Sequence, residues 1–253
     1  MQAKRSSSRA LMVLAVLLSS VGSAFAQYPA RPYPPPPAKG ARVQDISGEL
    51  SYAQCDVDKW AAVALNQSLG PNTCIWADKN SRAELNVGFG FIRMNSETSI
   101  TLLSVNPSTV QLKVSQGTVS VSVGRLRGGE IYEIDTPNAT LTAMKSGVYR
   151  VDVFPKEDQT WVTVRRGSLA ATGNGSSVKV EAGQQVRFKG GNSLQHTAEK
   201  APAPDGFDDW ARVRDERLGV FRSGPFFVGF GPYWGPYPSP PPPPYWGPYP
   251  YWR

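Results

Sequence analysis

The chain has 253 residues and a formal net charge of +7, and 40% of its residues are hydrophobic. The 27 basic residues are dispersed rather than gathered in a stripe with aromatic side chains, which argues against a nucleic-acid-binding surface. Most of the 23 prolines lie near the two ends, and this leaves one core of roughly 150 to 160 residues, an ordinary size for a single domain.

Residues 1–26 have the three parts of a cleaved export signal. Basic residues precede a short apolar run, and Ala24 and Ala26 have the small-x-small spacing of a signal-peptidase site. The apolar run is shorter than the about 20 residues that a membrane-spanning helix needs, although an uncleaved anchor is the alternative. We expect a periplasmic or secreted protein, cut after Ala26, with no later transmembrane segment. Removal of the three basic residues in this signal leaves a net charge of about +4.

Residues 27–42, QYPARPYPPPPAKGAR, form a proline-rich linker. Proline lacks the N–H group that a sheet interior requires, so this segment is expected to be an extended, polyproline-like spacer. A docking ligand for a proline-reading domain is the alternative. The folded domain is predicted to occupy residues 43–190.

The stretch from Val110 to Val153 is the clearest signal for the fold. Apolar residues recur at a spacing of two, which places them on one face of a pleated strand. They are Leu112, Val114, Val119, Val121, Val123, Ile134, Leu141, Ala143, Tyr149, Val151 and Val153. Glycines such as Gly117 and Gly147 fall between the runs, where the chain is expected to turn. Residues 81–188 continue the pattern, which predicts an all-β domain of roughly a dozen short strands arranged as a sandwich, barrel or solenoid.

The segment between the two cysteines of the chain, Cys55 and Cys74, has fewer regular signals. In an exported protein such a pair more often forms a bridge than stays reduced, and a bridge here would stabilise the fold by about 3 kcal/mol. Two separately buried free thiols are the alternative. A zinc site is not expected from two thiols and one histidine. Trp60, Val63 and Leu65 are predicted to contact the core.

Several motifs in this region, in their order along the chain, resemble one family. The motifs are Ser81-Arg82-Ala83-Glu84-Leu85, Leu112-Lys113-Val114-Ser115-Gln116-Gly117-Thr118-Val119, Tyr132-Glu133-Ile134-Asp135-Thr136-Pro137-Asn138, Gly147-Val148-Tyr149-Arg150-Val151-Asp152-Val153 and Val180-Glu181-Ala182-Gly183-Gln184. Together they resemble the FecR-like domain of bacterial envelope proteins, over most of the expected mature chain.

The resemblance implies a β-rich, solenoid-like periplasmic domain. In the regulators of that family, the domain relays occupancy of an outer-membrane receptor to a cytoplasmic sigma factor. This sequence has neither the N-terminal anti-sigma region nor the spanning helix of that plan. We therefore do not expect an anti-sigma role, and the resemblance implies instead a free periplasmic module.

Residues 191–222 are predicted to contain a linker and one short helix. Asp205 is a suitable N-cap, and acidic residues follow in the first turn, where the helix dipole favours them. An apolar face made by Phe207, Trp210, Ala211 and Leu218 is predicted to pack on the β-domain; binding a partner is the alternative. The pairs Asp208–Arg212 and Arg212–Glu216 are expected on the exposed side.

Residues 223–253 form a low-complexity tail in which the motif PYWGPYP occurs twice. Proline and glycine prevent a helix or a central strand, so the rings cannot form a core of their own. The candidate interaction residues are Tyr233, Trp234, Tyr237, Tyr245, Trp246, Tyr249 and Trp252. They suit attachment to cell-wall glycan or to an envelope protein. A disordered tail without a dedicated ligand is the alternative.

No motif in the sequence predicts an enzyme. His196 is the single histidine and follows the last predicted strand, a poor position for a general base. Ser176 and Lys179 fit S-x-x-K but lack the motifs that accompany it in hydrolases. We predict no catalytic residue, cofactor or metal. Two functions remain open: an interaction module in envelope sensing or regulation, and a structural envelope protein anchored by its tail.

Overall fold

The computed structural model describes residues 40–190 and 195–221. The expected signal, most of the linker and the aromatic tail lie outside these residues. The described strands are β1 Ala41–Ser47, β2 Leu50–Gln54, β3 Ala61–Ala62, β4 Ser68–Leu69, β5 Thr73–Ala77, β6 Arg82–Val87, β7 Gly90–Met94, β8 Thr98–Val105, β9 Thr109–Val123, β10 Ile131–Asp135, β11 Thr140–Ala143, β12 Gly147–Phe154, β13 Gln159–Arg166, β14 Ser168–Gly173, β15 Ser176–Glu181, β16 Gln184–Lys189 and β17 Gln195–Lys200. A short 3-10 helix spans Pro155–Glu157, and helix α1 spans Gly206–Leu218.

These strands belong to one mixed sheet that divides into two ladders. In ladder A the order is β4, β1, β6, β7, β9, β12, β13, β16, β17. In ladder B it is β3, β2, β5, β8, β9, β10, β11, β14, β15. The pairing of β9 with β10 is parallel and the others are antiparallel. The predicted all-β class is therefore confirmed.

Strand β9 joins the two ladders, and Gly117 is the point of transition. The part of β9 before Gly117 pairs in ladder B, and the part from Gly117 onward pairs in ladder A. Gly117 has a φ of +86°, and a Cβ built there would lie 2.6 Å from the Cα of Thr98. A residue with a side chain cannot occupy this position without displacing β8.

The buried faces of the two ladders meet in one hydrophobic core, which gives a two-layered, sandwich-like arrangement. Strand β9 shows the alternation clearly, since Leu112 and Val114 are buried in its ladder B part and Val119 and Val121 in its ladder A part. The two-residue spacing read from the sequence thus identified the inward side chains correctly.

Two of the predicted core contacts are wrong. Trp60 is 48% exposed and Leu65 is 56% exposed, whereas Val63 packs partly buried against the core. The segment that carries them has only the two short strands β3 and β4, so it lacks the alternation that separates an inward from an outward side chain. Within the described ranges, no helix is long and apolar enough to cross a bilayer.

Candidate binding surface

Helix α1 lies against the middle of the outward face of ladder A, where it contacts β6, β7, β9, β12 and β13. Asp205 is its N-cap, and its carboxylate accepts hydrogen bonds from the backbone N–H groups of Phe207 and Asp208, as the sequence predicted. The helix ends at Gly219, whose φ of +63° is the left-handed conformation of a helix terminus. Phe207 and Ala211 are buried, which confirms that the apolar face of the helix packs on the sheet.

The contact between the helix and ladder A contains buried charges. Arg93 on β7 is fully buried and lies 2.7 Å from the Glu84 carboxylate on β6 and 2.8 Å from the Asp215 carboxylate on α1. Arg214 of the helix reaches the same Glu84 at 2.8 Å, and Ser122 of β9 donates to Asp215 at 2.8 Å. Burial raises the pKa of Asp215, and the Arg93 guanidinium opposes this effect.

A second set of ion pairs fixes the start of the helix. Arg150 on β12 lies 2.6 Å from Asp205 and 3.0 Å from Asp208, and Arg165 on β13 lies 2.7 Å from Asp208. The predicted pair of Asp208 with Arg212 is wrong, because Asp208 is buried and faces the sheet. Arg212 does pair with Glu216 at 2.7 Å, as predicted.

A cavity of about 610 Å³ lies between the helix and ladder A. Charged side chains of both signs line it, and those of Arg165, Asp208 and Arg212 are already engaged in ion pairs with protein partners. These contacts hold the helix in place, so the protein's own structure occupies the middle of the outward face of ladder A.

The outward face of ladder B, here called the open face, has no such cover among the described residues. Its middle strands carry small polar and charged side chains such as Thr101, Lys113 and Thr142, which alternate with the buried core positions. At the end nearest β2 it carries Trp76, which is partly exposed on β5.

A disulfide between Cys55 and Cys74 fixes a loop at this end of the open face. The two cysteines are 19 residues apart in sequence, and their Cα atoms are 5.1 Å apart. Cys55 also donates a backbone hydrogen bond to the carbonyl of Asn72, while the Asn72 amide donates to Asp56. The bridge thus anchors both ends of the loop that carries the exposed Trp60.

Trp60 and Trp76 line one cleft of about 420 Å³, together with Ser51, Ser99 and Gln116. We call these five residues the tryptophan cleft. The sequence predicts Trp60 as a core residue and predicts no binding role for the other four residues. Alternation along β5 and β8 could have placed Trp76 and Ser99 on the outward face, since each follows a buried residue by one position. The candidate residues of the aromatic tail lie outside the described residues.

No protein-family model matches this sequence, and no curated protein matches it. Among solved structures, the chain is similar to a "putative anti-sigma factor" from Parabacteroides distasonis ATCC 8503, determined at 1.65 Å and at 2.50 Å resolution. The TM-scores are 0.45 and 0.44, and the sequence identity is 13% in both comparisons. The match covers 51% of this chain and 60% of those chains. At this level, the likeness does not define a family for the protein.

Proposed function

We propose that this chain is an exported, non-catalytic binding module of the bacterial cell envelope that recognises an envelope component through the open face. One observation carries the proposal. The helix and its buried ion pairs lie over the middle of the outward face of ladder A, whereas no described element covers the outward face of ladder B, which ends in a disulfide-anchored loop with an exposed Trp60. Exposed apolar groups beside a polar surface are typical of interaction sites.

Two features support export. The sequence begins with a segment that resembles a cleaved signal, and the Cys55–Cys74 disulfide is a type of bond that persists in oxidising compartments and is rare in the cytosol. The resemblance of the β-domain to FecR-like domains agrees with a role in envelope sensing or regulation, in which the partner would be another envelope protein or a cell-wall glycan.

The arrangement of ionisable groups supports a binding role over a catalytic one. In the larger cavity, the charged groups of Arg165, Asp208 and Arg212 are engaged by oppositely charged side chains. In the tryptophan cleft, none of the five lining residues is an acid or a base. A general acid or base needs a titratable group that can reach its substrate, and the five residues of the tryptophan cleft include none.

A second function is favoured by the repeated PYWGPYP motif of the tail. In this alternative the chain is a structural envelope protein, and the tail residues Tyr233, Trp234, Tyr245 and Trp246 attach it to cell wall or membrane. Aromatic rings on a proline-rich scaffold can meet a partner without folding into a core.

Cell fractionation and pull-down experiments with two chains separate these functions. The full chain and a chain lacking residues 224–253 are expressed in a bacterial host, and the mass of each mature protein is measured. The proposal predicts removal of residues 1–26 and a periplasmic or extracellular product. A cytosolic product that retains its first residues would contradict it.

The mature chains are then used to capture partners from a detergent extract and from insoluble cell wall. If the β-domain is the binding module, the tail-less chain captures the same envelope component as the full chain. If the tail is an anchor, removal of residues 224–253 abolishes retention in the insoluble wall, and the structural alternative is correct.

A further inference from the structure

Four uncharged side chains form a straight row across the open face. Hydrogen-bonded register places Ser51 on β2 opposite Trp76 on β5, Trp76 opposite Ser99 on β8, and Ser99 opposite Gln116 on β9. Neighbouring strands lie about 4.8 Å apart, so the row runs perpendicular to four successive strands. A flat ligand laid along the row would contact all four side chains.

Trp60 adds a second indole to one end of this row. It directly precedes β3, whose residues Ala61 and Ala62 pair with Tyr52 and Ser51 of β2. This pairing, with the disulfide behind it, holds the loop beside the row. Trp60 is 48% exposed and lines the same cleft as Trp76, so two aromatic surfaces are presented to one ligand.

Hydrogen-bonding groups in the row remain available. Among the described residues, the hydroxyls of Ser51 and Ser99 have no hydrogen-bond partner, and the Gln116 amide makes one contact of 3.4 Å, to the Glu97 carbonyl.

Elsewhere on the open face, polar side chains bond to one another. Gln111 donates to Glu133 at 2.9 Å, and Thr140 donates to Asp135 at 2.8 Å. In the tryptophan cleft, by contrast, the Ser51 and Ser99 hydroxyls remain available to a ligand.

We propose that the tryptophan cleft binds the sugar chain of a neutral cell-wall glycan, an inference that rests on the proposed envelope-binding function. Indole rings pack against the C–H faces of pyranose rings, while hydroxyl and amide groups exchange hydrogen bonds with sugar hydroxyls. Because the five lining residues carry no formal charge, the site suits a neutral ligand. The length of the row suits several linked sugars rather than one.

Isothermal titration of the full mature chain with a linear tetrasaccharide of β-linked N-acetylglucosamine tests this site. The proposal predicts measurable binding that Trp60→Ala and Trp76→Ala each weaken about tenfold or more, which corresponds to about 1.4 kcal/mol. Trp60→Tyr keeps an aromatic ring and is expected to restore most of the affinity. The control Trp161→Ala removes a partly exposed tryptophan from ladder A and is expected to bind as the native chain does.

Ser99→Arg gives an independent test that does not remove an aromatic ring. The long cationic side chain would project into the middle of the row and block a neutral sugar, while β8 keeps its buried residues. Thermal unfolding of each variant shows that the fold is intact. Reduction of the Cys55–Cys74 bridge is expected to lower the affinity several-fold, because Trp60 loses the support that positions it.

Failure of the native chain to bind the tetrasaccharide, or unchanged affinity in both Trp60→Ala and Trp76→Ala, would overturn the glycan site. A synthetic peptide of residues 224–253 is titrated in parallel, and binding of that peptide in place of the sugar would also overturn it. The proposed function would survive these results if the tail-less chain still captured an envelope protein, so the two proposals fail separately.

Discussion

The polar residues on the two outward faces of the sandwich differ in burial. On ladder A, alternating polar residues such as Ser122 and Arg93 are fully buried, because helix α1 lies over them and supplies Asp215 as their partner. On ladder B, the equivalent positions, such as Thr142, remain at the surface. The strand pattern is alike in the two ladders. What differs is the cover supplied by helix α1, whose Asp215 lies 93 residues after Ser122 in the chain.

The two ladders differ in what their outward polar residues require. Desolvation makes a buried charge costly unless its partners are in place, so ladder A and the helix depend on each other. The outward polar residues of ladder B, such as Thr142, are partly exposed and have no comparable requirement. Substitutions on the two faces should therefore affect different properties, stability on the first and recognition on the second.

The largest effect is expected from Arg93→Ala. It leaves Glu84 and Asp215 in the helix contact without their shared cation, and removal of one partner of a buried ion pair costs about 3–5 kcal/mol. The free energy of unfolding is measured by urea denaturation. The control is Arg212→Ala, which removes an arginine whose side chain is 59% exposed and is expected to cost far less than Arg93→Ala. Equal losses in the two variants would contradict the role assigned to burial.

Removal of the disulfide should have the next largest effect. The double variant Cys55→Ser with Cys74→Ser is expected to lose about 3 kcal/mol, because the bridge restricts the unfolded chain. Hydrogen exchange adds a regional test of the comparison. Beyond the change that follows from the global loss of stability, exchange is expected to increase more in β3 and the bridged loop than at the centre of α1. An equal increase in the helix would show that the two faces are not independent.

A smaller effect is expected at the start of the helix. Asp205→Ala removes the N-cap and should cost about 1 kcal/mol at neutral pH, whereas Asp205→Asn keeps a capping side chain and should cost less. Thermal unfolding of both variants measures this difference. A larger loss in the asparagine variant would contradict the capping role.

The contribution of Asp205 should also depend on pH. Partial burial raises its pKa, but hydrogen bonds from the Asp208 N–H and from Arg150 outweigh burial and hold the pKa below its usual 3.8. A lowered pKa in the folded state gives stability that is present above pH 3.8 and is lost as the pH falls through the folded pKa. The difference between the native chain and Asp205→Ala, followed by denaturation at several pH values, should shrink in acid. A difference that grows in acid would show that the sign is wrong.

The smallest effect on stability is expected on the open face itself. Ser99→Arg places a charge among hydrated side chains and should change the free energy of unfolding by about 0.5 kcal/mol or less, as surface substitutions usually do. Urea denaturation checks this value. A loss comparable with that of Arg93→Ala would mean that this face supports the fold and is not free for a partner.

Much of the fold could be predicted from the sequence, because its signals are local. Two-residue spacing identified the inward positions of β9, and the capping signals at Asp205 identified the start of the helix. The buried ion pairs could not be predicted in this way. Arg93 occupies an alternating polar position that resembles a solvent-facing one, and its partner Asp215 lies on an element distant in sequence.

The tryptophan cleft could not be predicted either, because it combines an irregular loop with side chains from strands distant in sequence. Trp60 lies in a segment with little regular structure, so its size suggested the core although the disulfide-anchored loop holds it at the surface. The row from Ser51 to Ser99 depends on the register of β2 with β5 and of β5 with β8, strands that are not consecutive in the chain. Residue spacing within one strand does not determine that register.

The most direct test of the account compares one substitution on each outward surface in the full mature chain. Ser99→Arg lies on the open face, and Glu216→Arg changes a residue that is 63% exposed on the outer side of helix α1. Co-sedimentation with a purified cell-envelope fraction is measured for both. We predict that Ser99→Arg weakens binding to the envelope fraction about tenfold or more, and that Glu216→Arg leaves this binding unchanged. Retention that is lost with Glu216→Arg and kept with Ser99→Arg would contradict it.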